Sequence, residues 1–124
     1  MEVKDSGTRT QFETGAVRDA ETDKGRFDLI PFEAMQGVAR IFEKGAAKYD
    51  ARNWEKGIPT HRYADSAARH LSKYTNGHRD EPHLYQAIWN LLCWAQTEYW
   101  IAEGRLPASL LTLPAPIEDD ASGD

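Results

Sequence analysis

The stretch EPHLYQAIWNLLCWAQTEYWIAEG, residues 81–104, decides the fold. Leu84, Ile88, Leu91, Leu92, Ala95 and Tyr99 recur at helical spacing, and Gly104 follows as a stop. The pattern predicts a helix from Glu81 or Pro82 to about Glu103, with those six side chains as its apolar face. Trp89, Trp94 and Trp100 add more. They fall at about 0°, 140° and 20° on a wheel of ~100° per residue, so one narrow stripe cannot cover all three. The expectation is a helix that packs inside its own chain and also against a second copy.

Working backwards, YADSAARHLSKY predicts a second helix from about His61 to Thr75, capped by Thr60. Its apolar stripe reads Ala64, Ala67, Ala68, Leu71 and Tyr74 or Thr75. The turn NGHRD separates it from the third helix. Met35, Val38, Phe42 and Ala46 predict a first helix from Pro31 to about Ala47, with Asp28 shortly before it. The loop KYDARNWEKGIPT carries Asp50, Asn53, Gly57 and Pro59 as turn residues. Residues 1 to about 26 show no period and read as a flexible arm. Residues 27–113 read as the helical domain, and the segment after 113 as an acidic mobile tail. Leu110, Leu111 and Leu113 are expected to pack on the bundle or on a partner. The class is all-α: a compact bundle of three main helices with an irregular N-terminal arm, completed by oligomerisation.

The chain has 124 residues and a formal charge of −5. It is long enough for one domain. The acidity removes any broad footprint for nucleic acid. The single Cys93 cannot form an internal disulfide, which fits a reducing cytoplasm. The residues after Met1 lack the apolar core of a signal peptide, and no apolar run reaches the roughly 20 residues of a membrane span.

Several polar residues invite chemistry. At the start of the third helix, Asp80 or Glu81 could be its N-cap, with Pro82 just inside. That leaves His83 unexplained, and two acids beside a histidine suit a divalent cation. His83 and Asn90 are seven apart, nearly eclipsed, with small Ala87 between. On the second helix, Asp65 and Arg69 form an i,i+4 pair, and His70 lies at the edge of the apolar stripe with Tyr63, Ala67 and Tyr74. In the loop, Lys48 could meet a phosphate, Tyr49 or Trp54 could stack on a base, and Asn53 offers an amide. Trp54 could equally be the loop's apolar anchor. No phosphate-binding glycine loop or serine nucleophile motif stands here. HRD at residues 78–80 matches a kinase loop in a chain far too short for a kinase, and no histidine–aspartate dipeptide occurs.

FETGAVRD, KGRFDLIP, GAAKYDARNW, YADSAARHL and DEPHLYQAIWN stand in this order from Phe12 to Asn90. Together they resemble a phage-borne family of dATP/dGTP diphosphohydrolases, related in function to MazG-like nucleotide pyrophosphatases. The resemblance implies a helical oligomer in the host cytoplasm. It would hydrolyse a purine deoxynucleoside triphosphate to the monophosphate and pyrophosphate, with Mg²⁺ or Mn²⁺. The EExxE and ExxD motifs of MazG-like enzymes are absent. An equivalent carboxylate set would be built from Asp65, Asp80 and Glu81, with Glu33 or Glu43 as further candidates. The expected site is therefore Asp65, His70 and Glu81 for catalysis, and Asp65, Asp80, Glu81 and His83 for metal. Lys48, Tyr49, Asn53, Trp54, Arg69 and Asn90 are expected to bind substrate. The competing reading is a non-enzymatic oligomerisation module, which would scatter these residues over solvent.

Overall fold

The computed structural model describes residues 3–118, so residues 119–124 of the expected acidic tail lie outside it. The chain divides into two compact units, Met1–Pro31 and Phe32–Asp124.

The first unit holds an antiparallel hairpin, β1 (Arg9–Gln11) and β2 (Val17–Asp19), in the register Arg9↔Asp19 and Gln11↔Val17. A 3₁₀ turn follows at Phe27–Leu29. The expectation of an arm without regular structure is corrected here. Three-residue strands are too short to leave a period in the sequence. The turn rests on Phe12 N–H donating to Ala16 O at 2.8 Å, with Gly15 at φ +88°. Asp19 fastens the base, accepting from the Ser6 hydroxyl, from Ser6 N–H at 3.1 Å and from Lys24 Nζ at 3.2 Å. These bonds, the Ser6 hydroxyl first, hold its carboxyl far below the usual range.

The second unit is three helices, α1 (Phe32–Lys48), α2 (Thr60–Thr75) and α3 (His83–Ala102). Each lies within two residues of its expected bounds. α3 is central and packs on both others, most extensively on α2. Its end is a Schellman motif: Arg105 N–H reaches Trp100 O at 2.8 Å and Gly104 N–H reaches Ile101 O at 3.0 Å, with Gly104 at φ +77°.

The face of α3 turned inward is not the expected one. The buried residues are His83, Ala87, Asn90, Cys93 and Thr97. Leu84, Leu91, Leu92 and Tyr99 remain 39%, 50%, 52% and 59% exposed. Close helix approach explains the exchange. α3 turns small side chains toward its most extensive partner, α2, where Tyr63 and Ala67 are buried, and Asn90 and Thr97 satisfy themselves along the helix. Asn90 Nδ2 donates to Gln86 O and Thr97 Oγ1 to Cys93 O, each at 2.8 Å. On α2, Leu71 is likewise exposed while Tyr63 and Ala67 are buried, and on α1 Met35 is exposed while Gly37 and Val38 are buried.

Two expected caps are also replaced. Neither Asp80 nor Glu81 caps α3, whose N-cap is Pro82. Thr60 is the first residue of α2, and the cap comes from the C-terminal segment: Thr112 Oγ1 accepts His61 N–H at 3.1 Å. In return Thr60 Oγ1 accepts Thr112 N–H at 3.2 Å. Leu110 packs beside Gly57, its methyl 2.8 Å from where a Cβ would stand. Trp54 anchors the α1–α2 loop, stacked on Trp100 at 5.6 Å and beside Phe42 at 6.0 Å.

Gly37 of α1 packs against Tyr85 of α3, where an added Cβ would lie 2.4 Å from the phenol ring. We expect Gly37→Ala to cost about 1–2 kcal/mol, because overpacking outweighs the gain in helix propensity. Gly45→Ala, whose Cβ would meet nothing within 4 Å, should gain up to about 1 kcal/mol. Urea unfolding separates the two, and equal shifts would contradict the packing.

Candidate functional site

Residues of all three helices line an open cavity of about 480 Å³. α1 contributes Ile41, Lys44, Gly45 and Lys48. α2 contributes Ser66, Arg69 and His70, and α3 contributes Gln86, Trp89 and Asn90, with Tyr49 at the edge. The wall thus carries three permanent cations, Lys44, Lys48 and Arg69, around one histidine. A chain of net charge −5 has concentrated positive charge where the helices meet. The geometry follows from spacing: Lys44 and Lys48 are one turn apart, as are Ser66 and His70, so each pair shares a helix face.

A second cavity of about 240 Å³ adjoins it, sharing Gly45, Tyr49 and Trp89. Its remaining wall includes Phe42, Asn53, Trp54 and Ile58, with Asp50 also lining it. Two compartments therefore meet at one partition. One is cationic, and the other is aromatic with an amide and a carboxylate.

The expected residues distribute as follows. Lys48, Tyr49, Arg69, His70 and Asn90 line the cationic cavity, and Tyr49, Asn53 and Trp54 the aromatic one. The polar edges of α2 and α3 do face one space. Asp65 is not among its walls. It lies exposed on α2, its Oδ2 holding Arg69 Nη1 at 2.8 Å, and so orients a cation that does line the cavity. Glu33 and Glu43 are exposed on α1 and line neither cavity. Lys44, Ser66, Gln86 and Trp89 were not anticipated. Lys44 had a readable signal, since it precedes Lys48 by one helical turn.

Asp80, Glu81 and His83 stand together, with one donor atom of each within 4.8 Å of the others. They lie behind the cavity wall rather than in it. His83 is fully buried, its Nε2 2.9 Å from Asp80 Oδ1 and its Nδ1 2.9 Å from His70 Nδ1. Asp80's carboxyl is held below its usual range, first by the His83 bond. Glu81's is held down mainly by Gln86 Nε2, which donates to it at 3.0 Å. As arranged, the three could hold a cation only by giving up a hydrogen bond. Both ring nitrogens of His83 are engaged, so a cation would have to break one of two bonds. The site also sits at the positive end of the α3 dipole, which opposes a cation.

His70 connects this group to the cavity. Burial is the first cause that lowers its pKa; Arg69, Lys73 and any positive charge on His83 lower it further, and Glu81 opposes them. A histidine with a lowered pKa is uncharged at neutral pH and can accept a proton. Cys93, fully buried, has its thiol pushed up to about 12 by burial and is inert.

Among the described residues no helix is long and apolar enough to cross a membrane. No curated protein and no solved structure gives a significant match. A family model does match, that of the dATP/dGTP diphosphohydrolase N-terminal domain, over residues 14–103, which takes in all three helices in full. On that coverage, the chain belongs to the dATP/dGTP diphosphohydrolase N-terminal domain family.

Proposed function

We propose that this chain hydrolyses a purine deoxynucleoside triphosphate to the monophosphate and pyrophosphate. The observation that carries the reading is the pair of joined cavities, cationic on one side and aromatic on the other. A nucleotide has the same division. Its phosphates suit Lys44, Lys48 and Arg69, the arginine already oriented by Asp65. Its base suits the space beside Tyr49, Asn53 and Trp54, where Tyr49 is exposed and available to stack. The sugar would pass the shared wall at Gly45 and Trp89, with Asn90 on the phosphate side.

In the reaction a water oxygen attacks the α-phosphorus, the bond from that phosphorus to the α,β-bridging oxygen breaks, and pyrophosphate leaves. His70 accepts the water's proton. Lys44, Lys48 and Arg69 stabilise charge developing on the departing oxygens. Mg²⁺ or Mn²⁺ enters as part of the nucleotide complex, its charge helping an acidic chain to receive a polyanion. The cavity of cations favours this enzyme over an oligomerisation module, which has no use for three cations and a histidine around one space.

The exposed apolar face of α3 belongs to the same proposal. Leu84, Leu91, Leu92 and Tyr99 form a stripe along most of the helix, larger than scattered surface residues. A two-fold pairing of α3 with a second copy covers it isologously. Light scattering at micromolar concentration should give a dimer or a multiple of it, and Leu91→Asp should yield a folded monomer. A wild-type monomer would contradict the pairing.

A panel of ribo- and deoxyribonucleoside triphosphates, supplied with Mg²⁺ or Mn²⁺, tests the chemistry. The expected result is turnover of dATP and dGTP with pyrophosphate as the product. In Lys48→Ala, kcat/KM should fall at least about tenfold, a loss of roughly 1.4 kcal/mol of transition-state stabilisation. Inorganic phosphate as the first product, or no turnover of any triphosphate by folded protein, would sink the proposal.

A further inference from the structure

Three side chains form a continuous hydrogen-bonded chain from surface to cavity. Asp80 Oδ1 is 2.9 Å from His83 Nε2, and His83 Nδ1 is 2.9 Å from His70 Nδ1. The two imidazoles lie 5.2 Å apart between centroids and are tilted by 35°. His83 is wholly buried, whereas the Asp80 carboxylate is 68% exposed. The proposed reaction uses only the last member, His70, and leaves the buried histidine unexplained.

With both rings neutral, the proton positions are forced. Asp80's ionised carboxylate only accepts, so His83 carries its proton on Nε2 and donates it. His83 Nδ1 is then a lone pair and must accept. His70 Nδ1 therefore carries a proton and donates to it. This leaves the lone pair of His70 on Nε2, the nitrogen not tied to His83, on a residue that lines the cationic cavity. Free imidazole side chains favour the opposite tautomer, with the proton on Nε2, so the chain selects the less common form.

We infer that Asp80 and His83 are positioning residues that lock His70 in the Nδ1–H tautomer, so that its Nε2 stands as proton acceptor in the cationic cavity. The inference rests on the hydrolase reading for its purpose but not for its structure. His83 replaces the single carboxylate that orients a catalytic histidine elsewhere, and it extends the reach from Asp80 by one ring. Proton acceptance by His70 Nε2 needs no further co-reactant. The proton taken from water stays on His70 until solvent or the departing pyrophosphate removes it.

The test uses the tautomer itself. Long-range ¹H–¹⁵N spectra of the full chain at neutral pH should show His70 protonated on Nδ1, and His83 on Nε2. In Asp80→Asn the amide can donate to His83 Nε2. His83 then donates from Nδ1, and His70 moves to the Nε2–H form. Asp80 is exposed, so this variant should keep its fold even where a His83 substitution does not. With dGTP, Asp80→Asn should lower kcat at least about tenfold with KM little changed, and Asp80→Glu should recover part of the loss. His70 protonated on Nε2 in the wild type would overturn the inference. So would Mn²⁺ alone broadening the His83 ring signals at micromolar concentration, since that would make His83 a ligand. Absence of any triphosphate turnover would defeat the hydrolase reading while leaving the tautomer assignment intact, so the two failures are distinguishable.

Discussion

The helical unit depends on the inward face of α3, where His83, Ala87, Asn90, Cys93 and Thr97 take the places usually held by leucines. Small and self-satisfied polar side chains let α1 and α2 come close, down to a glycine against a tyrosine ring at Gly37 and Tyr85. That closeness makes the cavity. It brings Lys44 and Lys48 from one helix, Arg69 and His70 from a second, and Asn90 from a third around one space. A leucine-lined face would pack more apolar area, but it would remove the asparagine that lines the cavity and the histidine bonded to His70.

Charge follows the same geometry. The net charge of −5 describes the surface, and it says little about a cavity lined by three cations. Two exposed acids serve that cavity from outside. Asp65 orients Arg69, and Asp80 reaches His70 through His83. The exposed Asp65–Arg69 pair is of a kind that contributes little to stability, about 0–1 kcal/mol, and the value of both acids lies in position rather than in holding the fold.

The helices were legible because each carries a long periodic pattern, and Gly104 announced its stop correctly. The face of α3 was not. Reading amphipathicity assumes that the largest apolar side chains turn inward, and Leu91 and Leu92 do not. Small residues that allow close packing carry a weak hydrophobic signal. The hairpin was missed because its strands are three residues long. Lys48, Tyr49, Arg69 and Asn90 line the cationic cavity and Asn53 the aromatic one, and their types and places in the sequence single them out as cavity candidates. Asp80 and Glu81 looked like caps or metal ligands because sequence shows acids without their partners. Only folding reveals that one faces His83 and the other Gln86. Lys44 shares a helix face with Lys48 because α1 runs through Lys48, one residue beyond its expected end.

The central claim is that one polyanion and one base occupy the two joined cavities. A structure with a non-hydrolysable α,β-imido analogue of dGTP tests it most directly. The account predicts phosphates within hydrogen-bond reach of Lys44, Lys48 and Arg69, His70 Nε2 facing the water nearest the α-phosphorus, and the base beside Tyr49 and Asn53. An analogue bound elsewhere on the chain, or lying with its phosphates in the aromatic cavity, would contradict it.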